Sequence, residues 1–215
     1  MSKWLKSYRE NHADFIQPAS IEKLPLDPFE AFTLWFDEAV QSMELEANAC
    51  VLSTYAPQSQ QVSSRTLYLK EMLDQQFIFY TNYNSKKAKD LHAHPKASLL
   101  FFWPKLMRQI RIEGSVIRVS ETISDAYFAT RPRESQLGAW ASQQSEKIQS
   151  RQKLLDQYKL LDARFPDVVP RPAHWGGFSM TANYLEFWQG QTSRLHERRA
   201  YYLEKNIWQS KLLQP

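Results

Sequence analysis

The chain predicts a mainly β fold: a largely antiparallel barrel with helices at its periphery. Three observations carry that prediction. Strand-like runs cluster early, helical patterns interrupt them, and strand-like runs close the chain, which is not the alternating order of a parallel sheet. Residues 107–119 alternate, with Ile110, Ile112, Gly114 and Val116 on one face and Gln109, Arg111, Glu113 and Ser115 on the other. At 215 residues, 43% hydrophobic and 23% charged, the chain can bury a real core. It is read as one domain over 1–215, with residues 1–26 as an arm that could close over a ligand.

The elements follow in order. Asp27 can cap a helix, Pro28 suits its first turn, and Glu30 stands three residues after the cap. Phe29, Phe32, Trp35, Phe36, Ala39, Val40 and Met43 would form its apolar stripe. Strands are expected at 48–55 and 62–70 around the turn Pro57-Gln58-Ser59-Gln60, and at 76–82 and 97–103 around a short helix. Helical patterns occupy 121–130 and a broken stretch over 134–162, with Ser145 as the simplest N-cap for a helix from Glu146. After a proline-rich connection from Pro166 to Pro172, strands are expected at 183–189, 194–204 and 207–213, the last two joined at Lys205-Asn206.

Composition excludes several classes. With five glycines, and no GxGxxG or Walker-type run, a glycine-rich phosphate loop is not expected. A net charge of +4 suits small anionic ligands, and nucleic acid only if the charge is concentrated. The single cysteine, Cys50, excludes an internal disulfide and a multi-Cys metal site, and its apolar neighbours make it a buried thiol. His92 and His94 have no accompanying carboxylate or Cys cluster, so no metal is expected. No apolar stretch has signal-peptide or membrane-span length, and a cytoplasmic protein is expected.

Several polar groups could do chemistry. Arg194, His196 and Arg198 are spaced by two, so a strand would turn all three to one face, a set that calls for an anion. Trp188 and Gln189 upstream offer an aromatic surface and an amide. Lys86 and Lys87 stand in the first turn of a helix, where they oppose its dipole and, with free N–H groups, would suit a phosphate. Arg65 and Lys70 fall on opposite faces of their strand. Tyr127, Arg131 and Ser135 are spaced by four, and Pro132 breaks the helix between them, yet a helix end and a turn could converge the three on a phosphate. Gln109 could bond the edge of a heterocycle. Taken singly, each group reads as well or better as a solvated or structural residue.

Together these segments resemble the pyridoxamine 5′-phosphate oxidase family. The resemblance runs from about Asp27 to the C-terminus. It rests on Arg65-Thr66-Leu67-Tyr68-Leu69-Lys70, Phe79-Tyr80-Thr81-Asn82, Ser85-Lys86-Lys87-Ala88, the run Arg131 to Trp140, Trp175-Gly176-Gly177-Phe178, Glu186-Phe187-Trp188-Gln189-Gly190 and Arg194-Leu195-His196-Glu197-Arg198. It implies an FMN-binding split β-barrel that works as a homodimer with FMN at the subunit interface. Arg65, Thr66, Lys86, Lys87, Gln144 and Ser145 would hold FMN, with Lys70, Tyr80, Thr81, Gln109, Trp188 and Arg198 completing that site. Lys70, Tyr127, Arg131 and Ser135 would grip the substrate phosphate, and Arg194 and His196 would act on the substrate ring.

The implied reaction is oxidation of pyridoxamine or pyridoxine 5′-phosphate to pyridoxal 5′-phosphate, with O2 as acceptor and H2O2 released. Two departures stand out. Lys86 replaces the family's usual Arg, which turns a bidentate contact into a point charge. Leu5-Lys6-Ser7-Tyr8 matches the family's arm only loosely. The rival readings are a related flavin oxidase acting on an unphosphorylated ring of the phenazine type, a non-catalytic FMN or pyridoxal-phosphate binding protein, and a nucleic-acid-binding barrel from basic charge plus aromatics, though no nucleic-acid or membrane partner is expected.

Overall fold

The computed structural model describes residues 20–215; the Leu5–Tyr8 segment therefore lies outside the described residues. The elements are α1 (Pro28–Gln41), β1 (Ala49–Ala56), β2 (Gln61–Tyr68), β3 (Glu71–Leu73), β4 (Gln76–Asn82), α2 (Lys86–Ala93), β5 (Lys96–Trp103), β6 (Arg108–Arg118), α3 (Glu121–Thr130), α4 (Arg133–Ala141), α5 (Arg151–Arg164), β7 (Trp175–Gln189), β8 (Glu197–Glu204) and β9 (Ile207–Leu213). Hydrogen bonding runs in the order β2-β1-β5-β6-β7-β4-β3, with β8 paired to β7 and β9 to β8. The path is open, with β2 and β3 at its ends. The chain divides into two compact units, and β5, β6 and β7 contribute residues to both.

One unit comprises 20–47, Leu100–Arg111 and Tyr184–Pro215. Asp27 caps α1, its carboxylate accepting from the backbone N–H of Phe29 (2.8 Å) and Glu30 (3.0 Å). Phe29, Phe32, Trp35 and Ala39 are buried as the stripe predicts, with Trp35 edge-on to Phe187 at 5.1 Å and Phe32 edge-on to Phe101 at 5.4 Å. The stripe stops there. Val40 is exposed, and Met43 lies past the helix end with φ 53° and is exposed as well. β7 pairs with β8 from Tyr184↔Tyr202 to Gln189↔Glu197, and β8 with β9 from Arg198↔Leu213 to Glu204↔Ile207. Lys205 and Asn206 both take positive φ, the geometry of a tight two-residue hairpin turn.

The expected strand 194–204 begins only at Glu197. Thr192–Arg194 is instead a 3-10 turn in which Ser193 (φ 55°) and Arg194 (φ 61°) are left-handed. The turn is held by the Gln191 N–H, which donates to His196 Nδ1 at 3.1 Å, and by the Gln191 amide on Glu197 at 3.0 Å. Arg194, His196 and Arg198 therefore do not share a strand face. Gln189 is also not available to a ligand. It is buried, accepts from Arg108 Nε at 2.7 Å and donates to the Leu106 carbonyl at 3.1 Å.

The other unit comprises Asn48–Leu99 and Ile112–Asn183. β1 and β2 form the expected hairpin, from Ala49↔Tyr68 to Ala56↔Gln61. The short β3, which no pattern predicted, pairs with β4, and β4 pairs with the first half of β7 from Gln76↔Thr181 to Asn82↔Trp175. A strand through Trp175-Gly176-Gly177 lies outside the expected 183–189. Glycine permits it there, since a Cβ on Gly177 would stand 2.7 Å from Val119 Cγ2 and 2.9 Å from Tyr80 Cε1. Phe128, Leu137, Val169 and Trp175 form a core under α3 and α4.

The broken 134–162 pattern resolves into α4 and α5. Ser145 caps neither; Ser150 caps α5 and accepts from Lys153 N at 3.2 Å. Ser145 has φ 76° and accepts from the backbone N–H of Lys86 at 3.2 Å.

Candidate active site

A cationic cluster forms where α2 begins beside the β1–β2 hairpin. Ser85 caps α2 and leaves Lys86 and Lys87 in its first turn, as the sequence predicts. Lys87 is buried, and its ammonium donates to Gln144 Oε1 (2.8 Å) and Thr81 Oγ1 (3.1 Å). Burial first, and the Arg65 charge second, push its pKa down to about 8. Arg65 Nη1 donates to Thr54 Oγ1 (2.8 Å) and the Leu52 carbonyl (3.2 Å), and Nη2 to Ser63 Oγ (2.6 Å). Lys86 Nζ stands 3.1 Å from Asp90, a buried carboxylate four residues on. Burial raises the Asp90 pKa, but hydrogen bonds from Thr54 and Lys86 and the charges of Lys86 and Arg65 outweigh it and hold the group low. Two of these cations, Lys86 and Arg65, act on one carboxylate while Lys87 rests on neutral acceptors, and the excess positive charge suits a phosphate.

A cavity of about 670 Å³ adjoins this cluster, since Thr81 and Gln144, which accept from Lys87, also stand in its wall. Alternation along β2 turns Thr66 and Tyr68 toward it while Arg65 faces the cluster, and Lys70 follows on the cavity side. The wall also carries Tyr80, Thr81, Tyr127, Arg131, Ser135, Gln144 and Trp175. Eight residues singled out from the sequence therefore share one space. The break at Pro132 is what converges Tyr127, Arg131 and Ser135: Arg131 ends α3 in an extended conformation (ψ 146°), and α4 restarts immediately after.

Tyr80, Tyr127 and Trp175 stack nearly parallel, with Tyr80 and Tyr127 centroids 3.8 Å apart and Tyr80 and Trp175 5.5 Å apart. Arg131 lies over Trp175 at 4.5 Å, and its Nη1 is buried with no hydrogen-bond partner. Among the described residues neither Arg131 nor Lys70 has a carboxylate partner. Burial lowers the Arg131 pKa, with Tyr127 opposing it, and raises that of Tyr80, on which Glu71 acts in the same direction. A half-buried guanidinium with one unfilled donor suits an anionic ligand.

Gln109, Trp188, Arg194, His196 and Arg198 belong to the other unit. The Trp188 and His196 rings lie 4.6 Å apart. With the Gln191 N–H on Nδ1, neutral His196 carries its proton on Nε2, and burial and Arg194 lower its pKa. Arg198 is held by the buried Glu186, to which Nε (2.9 Å) and Nη2 (2.8 Å) both donate, while Nη1 donates to the Gln214 carbonyl. Glu186 also accepts from Arg111 (2.8 Å) and the Tyr184 hydroxyl (2.6 Å). Gln109 is half-buried on β6.

Sequence reasoning missed Asp90, Thr54, Ser63 and Glu186, which hold these cations. The Lys86–Asp90 spacing of four was the one legible signal. Among the described residues no group of His, Cys, Asp or Glu could hold a metal, and no helix is long and apolar enough to cross a membrane.

A family model described as pyridoxamine 5′-phosphate oxidase matches residues 36–160, and one described as the pyridoxine 5′-phosphate oxidase C-terminal dimerisation region matches residues 175–215. The pyridoxine/pyridoxamine 5′-phosphate oxidase of Rubrobacter xylanophilus is 47% identical over 190 residues, 88% of this chain and 87% of that protein. The protein of the same name from Acaryochloris marina is 45% identical over 204 residues, 94% and 93% of the two chains. Among solved structures, PhzG from Burkholderia lata 383 in complex with tetrahydrophenazine-1-carboxylic acid has a TM-score of 0.88 at 26% identity, covering 95% of this chain and all of that one. The antiparallel order described above is the split-barrel arrangement of these relatives. The chain belongs to the pyridoxamine 5′-phosphate oxidase family.

Proposed function

We propose that the protein is an FMN-dependent oxidase that converts pyridoxamine or pyridoxine 5′-phosphate to pyridoxal 5′-phosphate. The observation that carries this reading is the Arg131 guanidinium, whose buried Nη1 has no hydrogen-bond partner, in a cavity whose wall also carries Lys70, Tyr127 and Ser135. Two cations and two hydroxyls make a grip for the substrate phosphate, and the stacked Tyr80, Tyr127 and Trp175 form a flat apolar wall beside it.

The separate cluster of Arg65, Lys86 and Lys87 suits the FMN phosphate, with Thr66, Thr81, Gln144 and Ser145 as neighbouring donors and acceptors and Tyr80 beside them. The reading assigns Lys70 to both ligands. These residues would hold FMN, which would supply a hydride acceptor that O2 reoxidises with release of H2O2; with the amine substrate, water would hydrolyse the resulting imine and ammonia would leave. Two fixed anion grips hold two flat rings in register, so the protein's contribution is placement.

The same reading assigns Gln109, Trp188 and Arg198 to the flavin, and Arg194 and His196 to the substrate ring. His196 would act there as a hydrogen-bond donor through Nε2. The family's dimeric state comes with the reading. The segment matching the dimerisation region, 175–215, contains Trp188, Arg194, His196 and Arg198, so FMN at a subunit interface is the arrangement inferred.

Absorption spectroscopy of the purified protein under nitrogen tests the proposal. A flavin band that bleaches on adding pyridoxine 5′-phosphate, and recovers with H2O2 in air, is the expected result. The match to PhzG supplies a second reading, an oxidase of reduced phenazines. Bleaching by a tetrahydrophenazine carboxylate and not by the phosphate ester would favour it.

A further inference from the structure

We propose that Asp90 is a positioning residue that draws Lys86 directly, and Arg65 through two hydroxyls, into a single phosphate-binding cluster. The proposal rests on the reading that this cluster takes the FMN phosphate. Asp90 is 6% exposed and lies in the second turn of α2, one turn beyond Lys86. Its Oδ2 receives the Thr54 hydroxyl at 2.8 Å, the Ser63 hydroxyl at 3.4 Å and the Lys86 ammonium at 3.1 Å.

Thr54 and Ser63 face each other across the β1–β2 ladder, and they are the residues on which the Arg65 guanidinium rests. A hydroxyl that donates to a carboxylate turns its lone pairs away from it. Thr54 and Ser63 therefore present those lone pairs to Arg65, and the chain of donors runs from arginine through hydroxyl to carboxylate. Without Asp90 the two hydroxyl hydrogens lose their acceptor, and the three cations repel one another unopposed.

The sign of the effect separates this role from charge alone. A carboxylate beside a phosphate site repels the ligand, so if Asp90 acted only as a charge, its removal would tighten FMN binding. If it positions the cations, its removal loosens FMN binding and leaves a flavin without phosphate unaffected. A general loss of packing would weaken both flavins together.

The experiment is fluorescence titration of FMN and of riboflavin into the flavin-stripped full-length protein, as parent, as Asp90→Ala, and as the double variant Thr54→Val with Ser63→Ala. The double variant cuts the links to Arg65 and keeps the Lys86–Asp90 pair, so it serves even if Asp90→Ala does not fold. The expected result is that FMN affinity falls by about tenfold or more in each, as for loss of a charge-assisted network, while riboflavin affinity holds. FMN binding that is unchanged or tighter in the folded variants overturns the role of Asp90. A parent that binds riboflavin as tightly as FMN overturns the phosphate-cluster reading itself.

Discussion

Replacing Arg131 with alanine removes the one guanidinium of the cavity whose buried nitrogen has no partner. A charge-assisted hydrogen bond contributes about 1.5–3 kcal/mol, so KM for the phosphorylated substrate should rise about 10- to 100-fold with a smaller change in kcat. Steady-state kinetics read this directly, and an unchanged KM would place the phosphate elsewhere. Lys87 gives a pH prediction. Its pKa is pushed down to about 8. A bound phosphate favours the ammonium and raises that pKa, so binding takes up a proton above it. FMN affinity should therefore fall as pH climbs from about 7 to about 9.5, while riboflavin affinity does not follow. Cys50, with its pKa raised by burial to about 12, should resist alkylation in the native protein at pH near 8 and react once the protein unfolds. At this scale the sequence singled out Arg65, Lys86 and Lys87 through the family resemblance and not through their own local contexts, and the structure brings the three into one cluster. The sequence could not show what holds them. Asp90, Thr54 and Ser63 meet Arg65 only through a hairpin register and a helix that follows much later in the chain.

Helices and strands with strong local signals were legible nearly to the residue. The Asp27-Pro28 start, the alternation of 107–119, and the 76–82 and 121–130 elements all follow from capping or periodicity. Asp27→Ala should lower stability by about 1 kcal/mol in denaturant unfolding, the usual cost of losing a cap. Gly114 is different. A Cβ there would overlap the Thr181 carbonyl of the neighbouring strand, so Gly114→Ala should destabilise by about 3 kcal/mol or more in the same assay. The missed features are those that long-range contacts decide. The expected 194–204 strand gave way to a turn because backbone and side-chain bonds from Gln191 to His196 and Glu197 outweigh local β propensity. The β7 segment at Trp175-Gly176-Gly177 has little intrinsic strand preference, and pairing with β4 and close approach to Tyr80 explain it.

For the whole molecule, assembly and chemistry should rise and fall together. The segment 175–215 both matches a dimerisation region and carries Trp188, Arg194, His196 and Arg198. Sedimentation should give twice the chain mass, and dilution that yields monomer should release flavin and abolish turnover in step. Flavin retained by a monomer would refute the interface assignment. The parallel triad of Tyr80, Tyr127 and Trp175 has one more consequence. Rings this close couple their electronic transitions, and their packing sets the near-ultraviolet circular dichroism of the cavity. If the phosphate ester enters beside them as proposed, that chiroptical signal should change beyond the ester's own absorption, which would give a label-free gauge of occupancy, readable before any electron moves.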